Sequence, residues 1–364
     1  MEYRKLPKGQ EAISIIGFGG SSLHQAGEKE AVDTLITALD KGVNYFDMAV
    51  SEASVLDYYR TAFAGARDKL YMQMHFGADY SSGKYGWTTD PKQIERGMDW
   101  LLSRLGTDYI DFGFIHCIDE PSDLEKIRAG GVLDRIQQLK DQGVVRHIGL
   151  SSHTPAIVNA LLDTGMLDVV MFSINPAYDY RHGDYAIGSV DERQSLYQRC
   201  QKEKVGITVM KPFGGGRLLD ASLSPFKRAL TPYQCIQYAL DKPAVLNVLP
   251  GFSGKADLLQ ALGYLTASPQ ERDYALLGDF APAEAEGKCV YCNHCRPCPQ
   301  GLDIALINKY YDLAQVGDAL AGDHYRNLDR HAGDCTRCGH CDRRCPFLVK
   351  QSERMLQISR YFGQ

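Results

Sequence analysis

"DPKQIERGMDWLLSRLGTDYIDFGFIH" occupies residues 90–116. Ile94, Met98, Leu101 and Leu105 return every three or four positions, the spacing of one buried helix face. Gly106 closes the pattern, as glycine does where a helix stops. "DYIDFGFIH" (108–116) is dense in β-branched and aromatic side chains and reads as a strand. The stretch is therefore a helix and a strand joined by a short turn, and the strand ends on a histidine.

The same unit recurs on both sides. Candidate strands are "SIIGFG" (14–19), "VNYFD" (43–47), "KLYMQMH" (69–75), "DYIDFGFIH" (108–116), "VRHIGL" (145–150), "DVVMFSI" (168–174), "GITVMK" (206–211) and "VLNVLP" (245–250). Helical patterns such as "EKEAVDTLITALDKG" (28–42) and "VLDRIQQLKDQG" (132–143) lie between them. Alternation of strand and helix implies a parallel sheet with helices outside, and eight units close it into a (β/α)8 TIM barrel. An open doubly wound sheet is the rival, but "GFGGSS" (17–22) lacks the last glycine of a dinucleotide fingerprint. "YRKL" and "EAIS", around Pro7-Lys8-Gly9, predict a hairpin that caps the barrel floor. The barrel is expected over 1–265, a helix and an alanine-rich linker over 266–287, and a second small domain over 288–364, with helices around 302–320 and 352–362.

Bulk composition narrows the function. The 364 residues are 44% hydrophobic and 23% charged, with a net charge of −5. That balance gives no general attraction to nucleic acid or to an anionic membrane. No apolar run reaches a membrane span, and "MEYRKLPKGQ" lacks the apolar core of a signal peptide. A cytoplasmic protein is expected.

Eight of the eleven cysteines fall between 289 and 345. In a reducing compartment such crowding reads as a metal site. "CTRCGHCDRRCP" (335–346) has the C-x2-C-x2-C-x3-C-P spacing of bacterial ferredoxins, which hold [4Fe–4S] clusters. "CVYCNHCRPCP" (289–299) is one residue shorter before its last cysteine. Zinc is the rival, but structural zinc sites use two ligand pairs separated by a longer loop. In two-cluster ferredoxins the fourth cysteine serves the other cluster. By position, Cys289, Cys292 and Cys295 would hold one cluster with Cys345, and Cys335, Cys338 and Cys341 the other with Cys298.

In such barrels chemistry sits where strands end. The strand ends carry Asp47, His75, His116 with Cys117, Ser151-Ser152-His153, Asn175 and Lys211. "GVNYFDMA" (42–49), "LLSRLGTDYIDFGFIH" (101–116), "VVRHIGLSSH" (144–153) and "MKPFGGGRLL" (210–219) resemble the aldo/keto reductases, most closely a branch with a C-terminal ferredoxin-type 2[4Fe–4S] domain. The resemblance implies a (β/α)8 barrel and an oxidoreductase, with NADPH across the C-terminal face and a carbonyl as substrate. It implies a catalytic Asp, Tyr, Lys and His. Asp47 and His116 match two of them. Glu52 stands at the tyrosine position and His75 at the lysine position. Those two exchanges favour proton abstraction at least as much as protonation of an alkoxide.

The cofactor side departs as well. Met210 stands where a Tyr often stacks on the nicotinamide, and Met171 where a Gln often binds its carboxamide. Ser151 and Asn175 fit the family, Gly214 and Gly215 are candidates for the pyrophosphate, and Lys255 is a candidate for a 2′-phosphate. Lys211 is a candidate for an anionic substrate. The expected function is an iron–sulfur oxidoreductase acting on a small polar carbonyl or hydroxyl compound, with NADP(H) or NAD(H) left open and a ferredoxin or flavodoxin as candidate redox partner. Two alternatives stand beside it. One is a nicotinamide-independent, cluster-driven reductive elimination or proton-transfer enzyme using Glu52, His75 and His116. The other is a non-catalytic electron-transfer protein.

Overall fold

The computed structural model describes residues 1–280, 286–318, 320–345 and 347–364. In chain order its strands are β1 (Tyr3–Lys5), β2 (Ala12–Ser14), β3 (Phe18–Gly19), β4 (Tyr45–Asp47), β5 (Tyr71–Phe76), β6 (Ala78–Asp79), β7 (Gly86–Trp87), β8 (Ile110–Ile115), β9 (Val145–Ser152), β10 (Val169–Ser173), β11 (Gly206–Met210) and β12 (Val245–Leu249). Eight of them form one sheet in the order β12-β11-β10-β9-β8-β5-β4-β3. Parallel bridges from Ile16 to Val248 and from Gly19 to Gly251 join its two edges. The sheet is thus a closed parallel barrel, and all eight expected strands are in it.

Glycines set the closing seam. A Cβ on Gly17 would stand 2.5 Å from a Leu249 methyl, and one on Gly19 would stand 2.7 Å from the Pro250 carbonyl oxygen. "GFGG" therefore lets β3 press against the chain around β12, which is a packing role for residues that superficially suggest a phosphate loop. Hairpin β1–β2 pairs Tyr3 with Ser14. Its Leu6 and Ile13 join Tyr45, Phe112, Phe114, Val169, Met171, Met210, Leu246 and Leu249 in the interior core. Lys8 Nζ bonds the Leu167 carbonyl and the Ser14 amide bonds Asn44 Oδ1, both just before a barrel strand begins. The hairpin covers the N-terminal end, and the C-terminal end carries the polar residues.

The Pro91–Leu105 helix follows its sequence signals. The Asp90 side chain accepts from the Gln93 amide, and Gly106 leaves the helix at φ +70°. Two expected helices are shorter than read. The stretch predicted over 302–320 is helical at Ile304–Gln315, and a separate helix covers Ala321–Arg326. The stretch before the linker has one helical turn at Pro269–Arg272, then a 3-10 segment at Ala275–Phe280. Asp273 breaks it with extended backbone, and buried Tyr274 turns inward to donate to Asp241 and to the Tyr291 carbonyl. Much of the expected linker, residues 281–285, lies outside the described residues.

The chain divides into two compact units, one of residues 1–174, 205–212 and 246–266, the other of 175–204, 213–245 and 267–364. The first holds the barrel strands. In the second, Cys295, Leu302, Ile304, Ile307, Tyr325, Ala332, Cys341, Met355 and Ile358 form one apolar core. Among the described residues, no helix is long and apolar enough to cross a membrane.

Candidate active site

Asp47 ends β4, His75 lies in β5 and His116 follows β8, so three neighbouring strands bring them together. All three are buried, at 4%, 3% and 9% exposure. His75 Nε2 is 2.8 Å from Asp47 Oδ1, and His75 Nδ1 is 2.8 Å from His116 Nδ1. His116 Nε2 is 2.7 Å from the hydroxyl of Tyr85. With Asp47 accepting, one assignment suits the three contacts from Tyr85 to Asp47, and it sets the Gln73 amide nitrogen 3.0 Å from a second donor, His75 Nε2–H. Tyr85 donates to His116 Nε2, His116 Nδ1–H donates to His75 Nδ1, and His75 Nε2–H donates to Asp47.

Gln73 braces the inner end. Its Nε2 donates to Asp47 Oδ1 at 3.1 Å and reaches Met171 Sδ at 3.3 Å, while its Oε1 accepts from Tyr45 at 2.7 Å. Burial, with His75 alongside, holds His116 well below the usual imidazole range. His116 is thus a neutral link. Burial pushes the Tyr85 phenol up to about 12, with Cys117 adding to it. Tyr85 keeps its proton at neutral pH, and its side chain is still 43% exposed.

Sequence reasoning missed Tyr85. The residue arrives on the β6–β7 hairpin, which the chain holds from both sides. The Tyr85 amide bonds the Ser51 carbonyl at 3.1 Å, Ala53 bonds the Gly83 carbonyl at 3.0 Å, and Trp87 Nε1 bonds the His116 carbonyl at 3.0 Å. Lys84 forms an antiparallel bridge with Glu52. The exposed Glu52 is therefore beside this hairpin but is not one of the hydrogen-bonded groups of the relay. The available signal was the long connection after His75, which carries Tyr80, Tyr85 and Trp87 where a short polar turn would have sufficed.

A second polar group stands at the ends of β8, β9 and β11. Cys117 (φ +53°) and Lys211 (φ +54°) both adopt left-handed backbone, which costs a non-glycine residue free energy and marks sites under constraint. Asp119 Oδ2 accepts from His153 Nδ1 at 2.9 Å, and Asp119 Oδ1 accepts from the His153 amide and from Ser152 Oγ. Lys211 Nζ is 3.2 Å from His153 Nε2. Burial lowers Lys211 to about 8, against the pull of Cys117 and Asp119.

The expected cofactor positions are dispersed. Ser151 is buried near the end of β9. Lys255 opens the Lys255–Leu262 helix and pairs with Asp33 at 2.9 Å on the surface. In the second unit, Asn175 is buried and accepts from the Tyr178 amide at 2.9 Å. Gly214, Gly215 and Gly216 follow one another in left-handed conformation, at φ +59°, +68° and +86°. A Cβ on either Gly215 or Gly216 would meet open space, so this turn presents bare backbone outward.

The eight clustered cysteines are free thiols in two groups. Cys289, Cys292, Cys295 and Cys345 line one small cavity, and Cys298, Cys335, Cys338 and Cys341 line another. Each cavity thus takes three cysteines from one motif and the fourth from the other. Tyr291 and Asn293 have φ +59° and +61°, and Arg337 and Gly339 have φ +56° and +67°. The left-handed turns fall at the same offsets in both loops, and such turns gather backbone amides into a concavity suited to a negatively charged centre. Burial pushes Cys289 up to about 12 and Cys292 up to about 11, against hydrogen bonds from the Tyr291 and His294 backbone. The donor set fits a soft thiolate-bound metal centre.

The Aldo/keto reductase family matches residues 15–229. An uncharacterized oxidoreductase of Bacillus subtilis (strain 168), YqkF, is 26% identical over 273 residues, which is 74% of this chain and 84% of that protein. The L-glyceraldehyde 3-phosphate reductase of Escherichia coli (strain K12) is 23% identical over 290 residues, covering 73% and 80%. Among solved structures, the aldo-keto reductase AKR11C1 from Bacillus halodurans (holo form) superposes with a TM-score of 0.62 at 22% identity, over 78% of this chain and 97% of that one. The aldo-keto reductase from Klebsiella pneumoniae in complex with NADPH gives 0.55 at 18% identity, over 74% and 93%. The barrel, the strand-end Asp and His, and these matches agree: the chain belongs to the Aldo/keto reductase family and is an oxidoreductase of that type.

Proposed function

We propose that the enzyme interconverts a carbonyl and a hydroxyl on a small polar substrate, with Asp47, His75, His116 and Tyr85 moving the proton. The observation that carries this reading is the unbroken line of hydrogen bonds from half-exposed Tyr85 to buried Asp47. A phenol that meets substrate on one side and a histidine pair on the other combines an acid–base group with a path for its proton. Glu52 stands beside the same hairpin as a second polar group at the mouth. The reductase similarity to a sugar-phosphate enzyme favours a polyhydroxylated or anionic substrate.

A nicotinamide is the proposed hydride carrier, supported by the Klebsiella relative in complex with NADPH. Ser151, Asn175, Lys255 and the turn at Gly214-Gly215 are the proposed contacts. When bound, the cofactor supplies the hydride; the chain's own residues orient the carbonyl and handle the proton. The proposed division of labour is a barrel over 1–265 and a cluster-bearing module over 288–364, with two [4Fe–4S] clusters, one in each four-cysteine cavity. When present, the clusters supply single electrons, which leaves room for a ferredoxin or flavodoxin partner.

An anaerobic spectral titration with NADPH, NADH and dithionite, paired with His116→Ala, tests this. The expected result is cluster absorbance bleached by dithionite, and loss of at least about a hundredfold in turnover for His116→Ala, with unchanged iron and fold. Normal turnover in that variant moves the chemistry elsewhere.

A further inference from the structure

Triads that activate a nucleophile share one geometry. A nucleophile touches a base, and a third group orients that base from its far side. Lys211, His153 and Asp119 have that geometry. Asp119 Oδ2 takes the Nδ1 proton of His153, which fixes the tautomer and leaves Nε2 as the acceptor. Nε2 faces Lys211 Nζ at 3.2 Å. His153 is 4% exposed, and three hydrogen bonds from the His153 amide, the His153 ring and Ser152 lock Asp119. Lys211 is half-buried, and its left-handed backbone at the end of β11 is a strained conformation for a lysine.

We infer that Lys211 is a nucleophilic amine that forms a Schiff base with the carbonyl group of a small aldehyde or ketone, with His153 as its base and Asp119 as the orienting group. In the step, the Nζ lone pair of the neutral amine forms a bond to the carbonyl carbon, and His153 Nε2 takes one proton from the nitrogen and passes it to the carbonyl oxygen, giving a hydroxyl. His153 Nε2 then carries the second nitrogen proton to the departing hydroxyl. The C–O bond breaks, water leaves and an imine remains. Nothing is oxidised or reduced, and no co-reactant is needed. The lowering of Lys211 to about 8 by burial agrees, because a useful fraction of the amine is then neutral near neutral pH. Asp119 and His153 also act on His116, so this triad and the proton relay are electrostatic neighbours. An imine there would acidify the neighbouring C–H. The family reading contributes only the substrate class, a carbonyl compound.

The test uses the anaerobically prepared full chain, glycolaldehyde as probe and cyanoborohydride as trap, with no nicotinamide present. Failure of the nicotinamide reading therefore cannot mask the outcome. Peptide mass mapping is expected to find the reduced adduct on Lys211 at least about tenfold faster than on the exposed Lys202. His153→Gln, which keeps an acceptor but cannot carry the proton, is expected to remove most of that preference. Labelling of Lys211 no faster than Lys202 in the wild-type chain overturns the proposal without recourse to any variant. An equally fast Lys211 in His153→Gln overturns the triad.

Discussion

At the ends of β4, β5 and β8, polar atoms answer one another: Tyr85, His116, His75, Asp47, Gln73 and Tyr45 form one continuous line of hydrogen bonds. The loops at 289–298 and 335–345 are built the other way. Burial raises the Cys289, Cys292 and Cys295 thiols; Cys292 adds to Cys289, Cys345 to Cys292, and Cys289, Cys292 and Cys341 to Cys295. Within that group, ionising one thiol penalises the next. The relay is complete with protein atoms alone, whereas four convergent thiols need a multivalent cation to become favourable thiolates. The second unit is able to satisfy buried charge when it has the partners. Asp179 accepts from fully buried Arg193 at 2.7 Å, from Tyr197 at 2.7 Å and from Tyr238 at 2.8 Å. The crowded thiols are therefore not a general failure of this unit to pair polar atoms.

The largest expected effect tests the proposed clusters. Anaerobic chelation is expected to make the chain between 289 and 345 accessible to protease while the barrel strands stay protected, as read by limited proteolysis and peptide mapping. Cys298→Ser is expected to lower iron from roughly eight to about four per chain. It should do so by disturbing the site of Cys335, Cys338 and Cys341, which share its cavity. A chelated protein as protease-resistant as the untreated one would break the comparison. Loss of iron at Cys289, Cys292 and Cys295 would refute the crossed grouping.

Asp179→Ala tests the other side of the second unit. It removes the carboxylate that buried Arg193, Tyr197 and Tyr238 share, with an expected cost of about 3–5 kcal/mol. Chemical denaturation read by tyrosine fluorescence checks it. A cost under about 1 kcal/mol would mean that the network relaxes to water.

The barrel was legible because each strand carries its own local signature and eight of them leave one closed arrangement. Asp47, His75 and His116 were legible because strand ends map to one face. Tyr85 was not, because its place depends on backbone bridges between 51–53 and 83–85 that no periodicity reports. Asp119 was missed for a similar reason: a turn residue gains meaning only when the His153 ring arrives from the next strand. The shortened helix after 302 reflects a different limit. "LDIALINKYYDLAQVGDAL" is apolar at helical spacing almost throughout, but Gly317 turns the chain at φ +86°.

The smallest expected effect concerns the outer end of the relay, where two residues compete for one role. Glu52 is bridged to the hairpin at Lys84, while Tyr85 comes from the hairpin's turn and touches His116. Hydrogen bonding decides between them. Tyr85 is bonded at 2.7 Å to the ring that continues inward, and Glu52 is an exposed carboxylate joined to the hairpin through backbone. Tyr85→Phe keeps the ring but removes the hydroxyl, and turnover is expected to fall by about 10²–10⁴-fold with substrate binding little changed. Glu52→Gln removes a charge that solvent already screens, and turnover is expected to change no more than a few-fold. A kcat-against-KM comparison of the two variants separates the roles. If Glu52→Gln takes the larger loss in kcat, the proton leaves through the carboxylate, and the phenol of Tyr85 only holds His116 in place.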